Sequence, residues 1–421
     1  MSRPFGCLLV LFCLLGGMTV QAMASETNMP WLEPFSLTGW AEAIQSVRTH
    51  RPNDSLTSRA RLRLELEADF NVFYGFVSAD AEKNWQIEDE TGIDLQEAWL
   101  EYAADRWDLR IGRQIVIWGK ADGVQITDIV SPPDYTESIT RDLDEIRIPV
   151  DAAKLRLLGD FVNTELIWIP VFEPAVQPSG DNPWAVETDL PDNVHVTMAD
   201  VDEPDTSMEN SEIALKVAAY LSGLDVAASV FHTWDDNPAF HRTIRREGDT
   251  VFVDYAPRHH RLTVLGLEFS RPWSDFVFRG EAAYYIGKYH ETKPTALDPM
   301  QRDLLKWLGG VDWTPGNDWT VIAQITGDII MNHDARLADE AFETMATLSI
   351  SKELLNQTLT VSNMLYYDLN ENEIYTRPKA DYALTDTWHL MTGADIFCGD
   401  DGRFGGYRNN SQVWVKIKYS F

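Results

Sequence analysis

The chain has 421 residues, 66 of them acidic against 35 basic, giving a formal net charge of −31. Such a balance excludes nucleic acid as a partner, because its phosphates would be repelled. It favours cations, or lipopolysaccharide bridged by divalent metal, at an outer surface. No run after the leader approaches the ~18 consecutive apolar residues of a membrane-spanning helix, yet the chain carries 15 Trp and 14 Tyr. A membrane barrel escapes a hydropathy search because only alternate residues face lipid.

Residues 1–24 read as a cleaved signal peptide. Arg3 is the basic n-region, residues 7–15 are a short apolar h-region, and Ala22-Met23-Ala24 is an A-x-A cleavage site before Ser25. Lipidation does not fit, since Cys7 lies too early and Cys13 follows the bulky Phe12. Cleavage removes both and leaves Cys398 without an intramolecular partner, so no structural disulfide is expected. Residues 25–421 then read as one domain.

Alternation of period two begins clearly at residues 58–69. Ala60, Leu62, Leu64, Leu66 and Ala68 share one face, and Arg59, Arg61, Arg63, Glu65 and Glu67 share the other. Further along, Trp107, Leu109 and Ile111 oppose Asp108 and Arg110. Ala153, Leu155 and Leu157 oppose Lys154 and Arg156, and Ile213, Leu215 and Val217 oppose Glu212 and Lys216. Phe276, Phe278, Ala282 and Tyr284 oppose Arg279 and Glu281, and Trp319, Val321 and Ala323 precede Gln324 and Asp328. Trp388 and Leu390 flank His389. Finally Val413, Val415, Ile417, Tyr419 and Phe421 alternate with Trp414, Lys416, Lys418 and Ser420. Aromatic residues gather towards strand ends, as interfacial girdles require. An aromatic final strand ending in Phe421 resembles the signal that outer-membrane barrels present to their assembly machinery.

Connections alternate as well. Short ones near residues 69–71, 104–106, 160–163, 222–224, 271–274, 315–318, 353–355 and 384–386 interleave with longer ones. The long ones lie near 49–57, 84–93, 119–150, 174–207, 236–258, 289–302, 331–342, 369–373 and 396–410. This order predicts an all-β transmembrane antiparallel barrel with short periplasmic turns and long extracellular loops. The count is about 18 strands; 16 stays open because residues 309–313 and 342–352 alternate weakly. A barrel of this size encloses an aqueous channel.

By parity, Arg59, Arg61, Arg63, Arg110, Lys154, Arg156, Arg279, Lys416 and Lys418 face the lumen. So do Glu65, Glu67, Glu97, Glu101, Asp108, Glu212 and Glu281. The first, second and last strands are neighbours once a barrel closes, which sets Arg59, Arg61, Arg63, Lys416 and Lys418 on one basic wall. Glu97 and Glu101 are candidates for an opposing acidic region, and the two together would select solutes by charge. The plainer alternative is that these charges solvate a wet lumen and pair with one another. Strict parity aims Arg113 at lipid, at a cost of ~2–4 kcal/mol near the midplane. A bulge near Gly112 would return it to the lumen.

Around Arg113 the segment reads Gly112-Arg113-Gln114, then Trp118-Gly119, followed by an acidic loop with Pro132-Pro133-Asp134. This pattern over residues 106–135 resembles a family of porin-like outer-membrane proteins known mostly as a domain of unknown function. Lys120 and Ser131 depart from the Glu and Asn more usual there. Alginate-export and carbohydrate-selective porins share the general look. The resemblance implies a barrel for small or hydrophobic compounds.

The loop from Gly119 to Val150 carries Arg141, Asp142, Asp144, Glu145 and Arg147. It is expected to fold inward as a constriction, with an external rim position as the alternative. The segment 174–207, with Asp181, Glu187, Asp189, Asp192, Asp200, Asp202, Glu203 and Asp205, is read as a solvated acidic loop, since no EF-hand spacing is present. His259 and His260 are read as rim histidines, not as metal ligands. No G-x-S-x-G elbow or phospholipase-like pattern is present, so no enzyme is expected. The function expected is passive or substrate-selective passage of a small solute, without cofactor. A closed structural, receptor or adhesion barrel is the alternative.

Overall fold

A strand pairs all its backbone groups only when it has one neighbouring strand on each side, and a sheet that closes on itself supplies both. The structure, a computed structural model, describes residues 33–137, 140–185, 191–293, 298–400 and 402–421. The leader at 1–24, and Glu187 and Asp189 of the acidic loop, lie outside the described residues.

The strands in chain order are β1 (Phe35–Arg48), β2 (Ser58–Asp69), β3 (Phe73–Asn84), β4 (Gly92–Ala103), β5 (Trp107–Gln114), β6 (Val150–Leu158), β7 (Val162–Ile169) and β8 (Val194–Met198). Then come β9 (Glu212–Leu221), β10 (Leu224–Trp234), β11 (Ala239–Glu247), β12 (Thr250–Arg258), β13 (Arg261–Trp273), β14 (Phe276–Ile286), β15 (Tyr289–His290) and β16 (Met300–Gln301). The last are β17 (Leu304–Gly316), β18 (Trp319–Ile330), β19 (Phe342–Leu354), β20 (Leu359–Asp368), β21 (Glu373–Ala383), β22 (Trp388–Cys398) and β23 (Gln412–Ser420).

All but β8, β11, β12, β15 and β16 join one closed, 18-stranded antiparallel barrel. The two weakly alternating segments lie in full strands of 13 residues each, β17 and β19, which excludes the count of 16. The seam pairs β1 with β23, from Trp40↔Ser420 to Arg48↔Gln412. Below it, Gly39 and Phe421 exchange backbone hydrogen bonds of 3.0 Å each. A Cβ on Gly39 would lie 2.3 Å from the Arg63 carbonyl oxygen and 3.0 Å from the Phe421 ring, so glycine is needed where they meet.

Turns at one end are short, helped by left-handed residues such as Asn71, Ser274 and Asn317. Connections at the other end are long, except residues 369–372, where the Asp368 carboxylate accepts from the Asn370 and Glu371 amides. The outer face exposes Leu66, Ile93, Leu100, Ile111, Leu267 and Val415 among many apolar residues. Rings meet around the short-turn end, as in Phe73–Tyr102, Tyr102–Trp107, Phe276–Trp313 and Trp388–Tyr419. Among the described residues no helix is long and apolar enough to cross a membrane.

Among the described residues, three of the long connections carry strands of their own, and in one of them β15 pairs with β16. β11 and β12 form a hairpin through Gly248, and β8 from the preceding connection adds to it in parallel. This small sheet stands at the long-loop end, where residues 174–207 and 236–258 read as loops.

Candidate functional site

The lumen is crossed by the chain between β5 and β6, residues 115–149. Shortly before β5 ends, Gly112 has φ +131° and a would-be Cβ only 2.2 Å from the Ala98 carbonyl oxygen. The bulge expected there is absent, since β5 runs in continuous register with β4 and β6 through Arg113. The irregularity lies in β4, where Ser78 pairs with Glu97 and Ala79 with Leu95, leaving Gln96 between them. Arg113 therefore keeps outer-face parity and is removed from the lumen-facing set. Next to the strand's long-loop end it donates to the Leu95 carbonyl oxygen (3.2 Å) and lies 3.7 Å from Glu173. Those partners at the rim take the place of a turn inward.

The inward segment is held first by apolar packing. Val116, Trp118 and Val130 pack on Ile167, Ile169, Ala214 and Phe231, an apolar patch of the inner wall on β7, β9 and β10. Ile126 packs on Leu262, Val264, Ala283 and Leu308. Lumenal polar groups then satisfy the loop backbone, as buried backbone must be. Glu281 accepts from the Lys120 and Thr127 amides and from the Thr127 hydroxyl, and Arg279 donates to the Lys120 carbonyl oxygen. Gln324 makes both backbone contacts to Asp122, at 3.0 and 2.6 Å, and the Tyr366 hydroxyl donates to the Gly123 carbonyl oxygen at 3.2 Å.

Past its far side the loop is fixed by charge. Glu137 accepts from Arg59, from Arg141 (3.0 Å) and from Asn84 (3.1 Å). Burial works to raise the Glu137 carboxyl, but Arg141 and Arg59 outweigh it and hold it well below the usual range. Glu145 lies 3.2 Å from Arg61 and 3.8 Å from Arg59. Burial opposes its ionisation too, and Arg61, Lys416 and Arg59 bring it down to about 2. Asp142 faces Arg377 (3.2 Å) instead of the basic wall, and Asp144 pairs with Arg147 inside the loop.

On the wall itself, Arg59 and Arg61 are 3% and 5% exposed. Arg63 binds Asp80 through two nitrogens, both at 2.6 Å. Lys416 lies 3.6 Å from Glu42, and Lys418, Arg61 and Arg63 all sit over the Trp40 ring. Glu65 and Glu67 lie half-exposed on the same strand, nearer the short-turn end. Glu97 and Glu101 do not oppose this wall, because β4 is only two strands along from β2. Glu97 accepts from the Ile115 amide (3.0 Å). Glu101 lies 2.7 Å from Arg110 and 3.9 Å from Arg156, with Lys154 buried alongside. The carboxylates that answer the basic wall come instead from β1, β3 and the loop: Glu42, Asp80, Glu137 and Glu145.

Sequence reasoning missed Glu42, Asp80, Glu82 and Glu137. Parity of residues 35–48 and 73–84 places the first three inward; nothing local marks Glu137.

Open space remains beside the loop among the described residues. A cavity of about 760 Å³ lies between residues 121–147 and the inner faces of β17 to β21. A second of about 40 Å³, room for a water molecule or so, lies against Arg59, Glu145, Arg377 and Lys416. Above them the long loops converge. Trp184 is 0% exposed and clusters with Leu56, Ile87, Tyr375, Phe397 and Phe404. The loop after β22 wraps the buried Glu373 carboxylate, which accepts from the Phe404 amide at 2.8 Å.

Asp202 of the acidic connection pairs with Arg258 at 2.9 Å. Among the described residues no group of three or more His, Cys, Asp or Glu is arranged to hold a metal. His259 is buried against Phe172 and bonded to the Asp235 carbonyl oxygen, not on an open rim. His260 stacks on Tyr289 and meets the His241 Nε2 at 2.8 Å.

A family model described as "Protein of unknown function (DUF1302)" matches residues 35–421. No curated protein matches the chain. Acinetobacter baumannii OccAB1 superposes with a TM-score of 0.55 at 9% identity, covering 94% of this chain and 98% of that one. Pseudomonas aeruginosa OccK11 (OpdR) gives 0.53 at 8% identity, with 92% and 96% covered. The outer membrane channel DcaP of Acinetobacter baumannii gives 0.46 at 11% identity, with 92% and 97% covered. The first two show the same barrel fold.

Proposed function

Because the chain belongs to the DUF1302 family of proteins of unknown function, its role has to be argued from its own lumen, and we propose that it is an outer-membrane channel for small solutes, constricted by the segment 115–149. The short turns face the periplasm and the long loops face outward. The observation that carries this reading is the inward loop, which crosses a wide barrel yet leaves a cavity of about 760 Å³ beside it. A barrel serving only as a surface anchor gains nothing from a charged passage.

Selectivity in this reading belongs to the narrow zone, since charges in a wide wet lumen are screened within ~8 Å at physiological salt. Arg59 and Arg61 act there as anchors for the loop, because Glu42, Glu137 and Glu145 neutralise them. The test is reconstitution of folded protein into planar bilayers. Discrete conductance steps support a channel.

The Trp184 cluster supports a second reading, a barrel closed by its own loops. Silence from the folded wild type, with conductance appearing in a Trp184→Ala variant, would favour that reading.

A further inference from the structure

We propose that the cavity of about 760 Å³ is a binding station for an organic cation, a protonated amine carried on an apolar or aromatic body. The proposal rests on reading the lumen as a solute passage. Its volume falls within the ~300–1,000 Å³ of small-molecule sites. One side is apolar: Val124, Ile126, Met345, Met364, Tyr366 and Phe404 line it. Polarizable and aromatic walls of this kind suit a hydrocarbon body, and ring faces attract a desolvated ammonium.

The charged side fixes the sign. Five cationic side chains line the cavity: Lys306, Arg141, Arg147, Arg377 and Arg403. Each is already occupied. Lys306 lies 2.8 Å from Asp328. Arg147 is held by Asp128 and Asp144, Arg377 by Asp142 and Asp395, and Arg403 by Glu343 and Asp368. Arg141 is shared by Glu82, Glu90 and Glu137. Carboxylates thus outnumber cations around the space, and an anionic solute finds no free guanidinium.

Two features turn that surplus towards the cavity. Asp122 lines it and makes no ion pair within 4.0 Å among the described residues. Burial raises its carboxyl, against the pull of Arg279, as expected of an acid that lacks a counter-charge at contact distance. Asp142 and Asp144 expose 62% and 88% of their side chains while their arginine partners stay largely covered. A cation entering beside Asp122 and Asp144 supplies the missing charge, and the apolar wall distinguishes an organic amine from a bare metal ion.

The test is calorimetric titration of detergent-refolded full-length protein with phenethylammonium, phenethyl alcohol, phenylacetate and methylammonium. Only phenethylammonium should bind measurably. The double variant Asp122→Asn/Asp144→Asn, shown folded by heat-modifiable migration, should bind it about tenfold more weakly or worse. Phenylacetate binding as well as the amine, or an affinity unchanged in the variant, overturns the proposal. Conductance is recorded separately. Amine binding by a protein that never conducts would overturn the channel reading and leave the site standing.

Discussion

Arg59 and Arg61 sit at alternate positions on β2 and are legible in the sequence as a basic face. What they do there depends on Glu137, which no local pattern reveals. Replacing Glu137 by Gln leaves Arg59 and Arg141 buried with one counter-charge fewer. Breaking a buried pair in this way costs about 3–5 kcal/mol, so the variant should unfold at lower temperature and conduct in larger or noisier steps. Equal melting and equal steps would show that the loop is held by its apolar contacts alone. The same latch predicts acid sensitivity. Against the pull of burial, Arg61, Lys416 and Arg59 hold the Glu145 carboxyl at about 2, below its ordinary 4.5, and Glu137 is lowered further. A depressed carboxyl contributes stability that is complete above its unfolded pKa and lost as pH falls through the folded one. Glu90, raised by burial to about 7, loosens its hold on Arg141 first, but conductance should rise or flicker strongly only as pH drops from about 5 towards 2, where Glu145 and Glu137 lose their charge. A flat response over that lower range would rule out the ion pairs as the latch.

At the scale of elements, most barrel strands are readable because they repeat apolar and polar residues with period two; β17 and β19 do so only weakly. The connections were readable because short and long ones alternate. The β8–β11–β12 sheet escaped because its strands lie inside two connections between barrel strands, and the parallel pairing of the five-residue β8 with β12, far along the chain, leaves no local mark. Arg113 was misjudged for a related reason: parity says which way a side chain points but not how near the rim it lies. The inward course of the loop rests on distant partners such as Glu281, Gln324 and Tyr366, which alternation alone does not connect to it. One prediction belongs here. Gly112→Val places a branched side chain at φ +131° against the Ala98 carbonyl oxygen. Strain at such a position costs of order 1–3 kcal/mol before the clash is counted. Assembled, heat-modifiable protein should fall several-fold, while Arg113→Gln assembles at normal levels. Normal assembly of Gly112→Val would mean that β5 sits against β4 without needing a glycine.

For the whole molecule, the apolar belt, the ring girdle and the closed sheet make one prediction about solubility and migration. Folded protein should require detergent or lipid and should shift on gels when heated. A stable, monodisperse protein in plain buffer would be incompatible with the membrane reading. Phe421 belongs at this scale too, because its backbone and ring close on Gly39 at the seam. We expect Phe421→Ala to be exported but poorly inserted, leaving unassembled chain in the periplasm. Wild-type levels in the outer membrane would remove any assembly role for the ring.

The seam also imposes a schedule. Trp40 pairs with Ser420, far away along the chain, and loop closure over such a separation is slow. Until then the sheet is an open ribbon with two unpaired margins. The segment 115–149 touches both β2 and β21, strands on opposite sides of that opening. It can settle against β6 to β10 early, but its contacts to Arg59 and Arg377 cannot coexist until the margins meet. Closing the ribbon and sealing the passage are thus a single late event, and a stalled intermediate would be both unsealed and sticky at its edges.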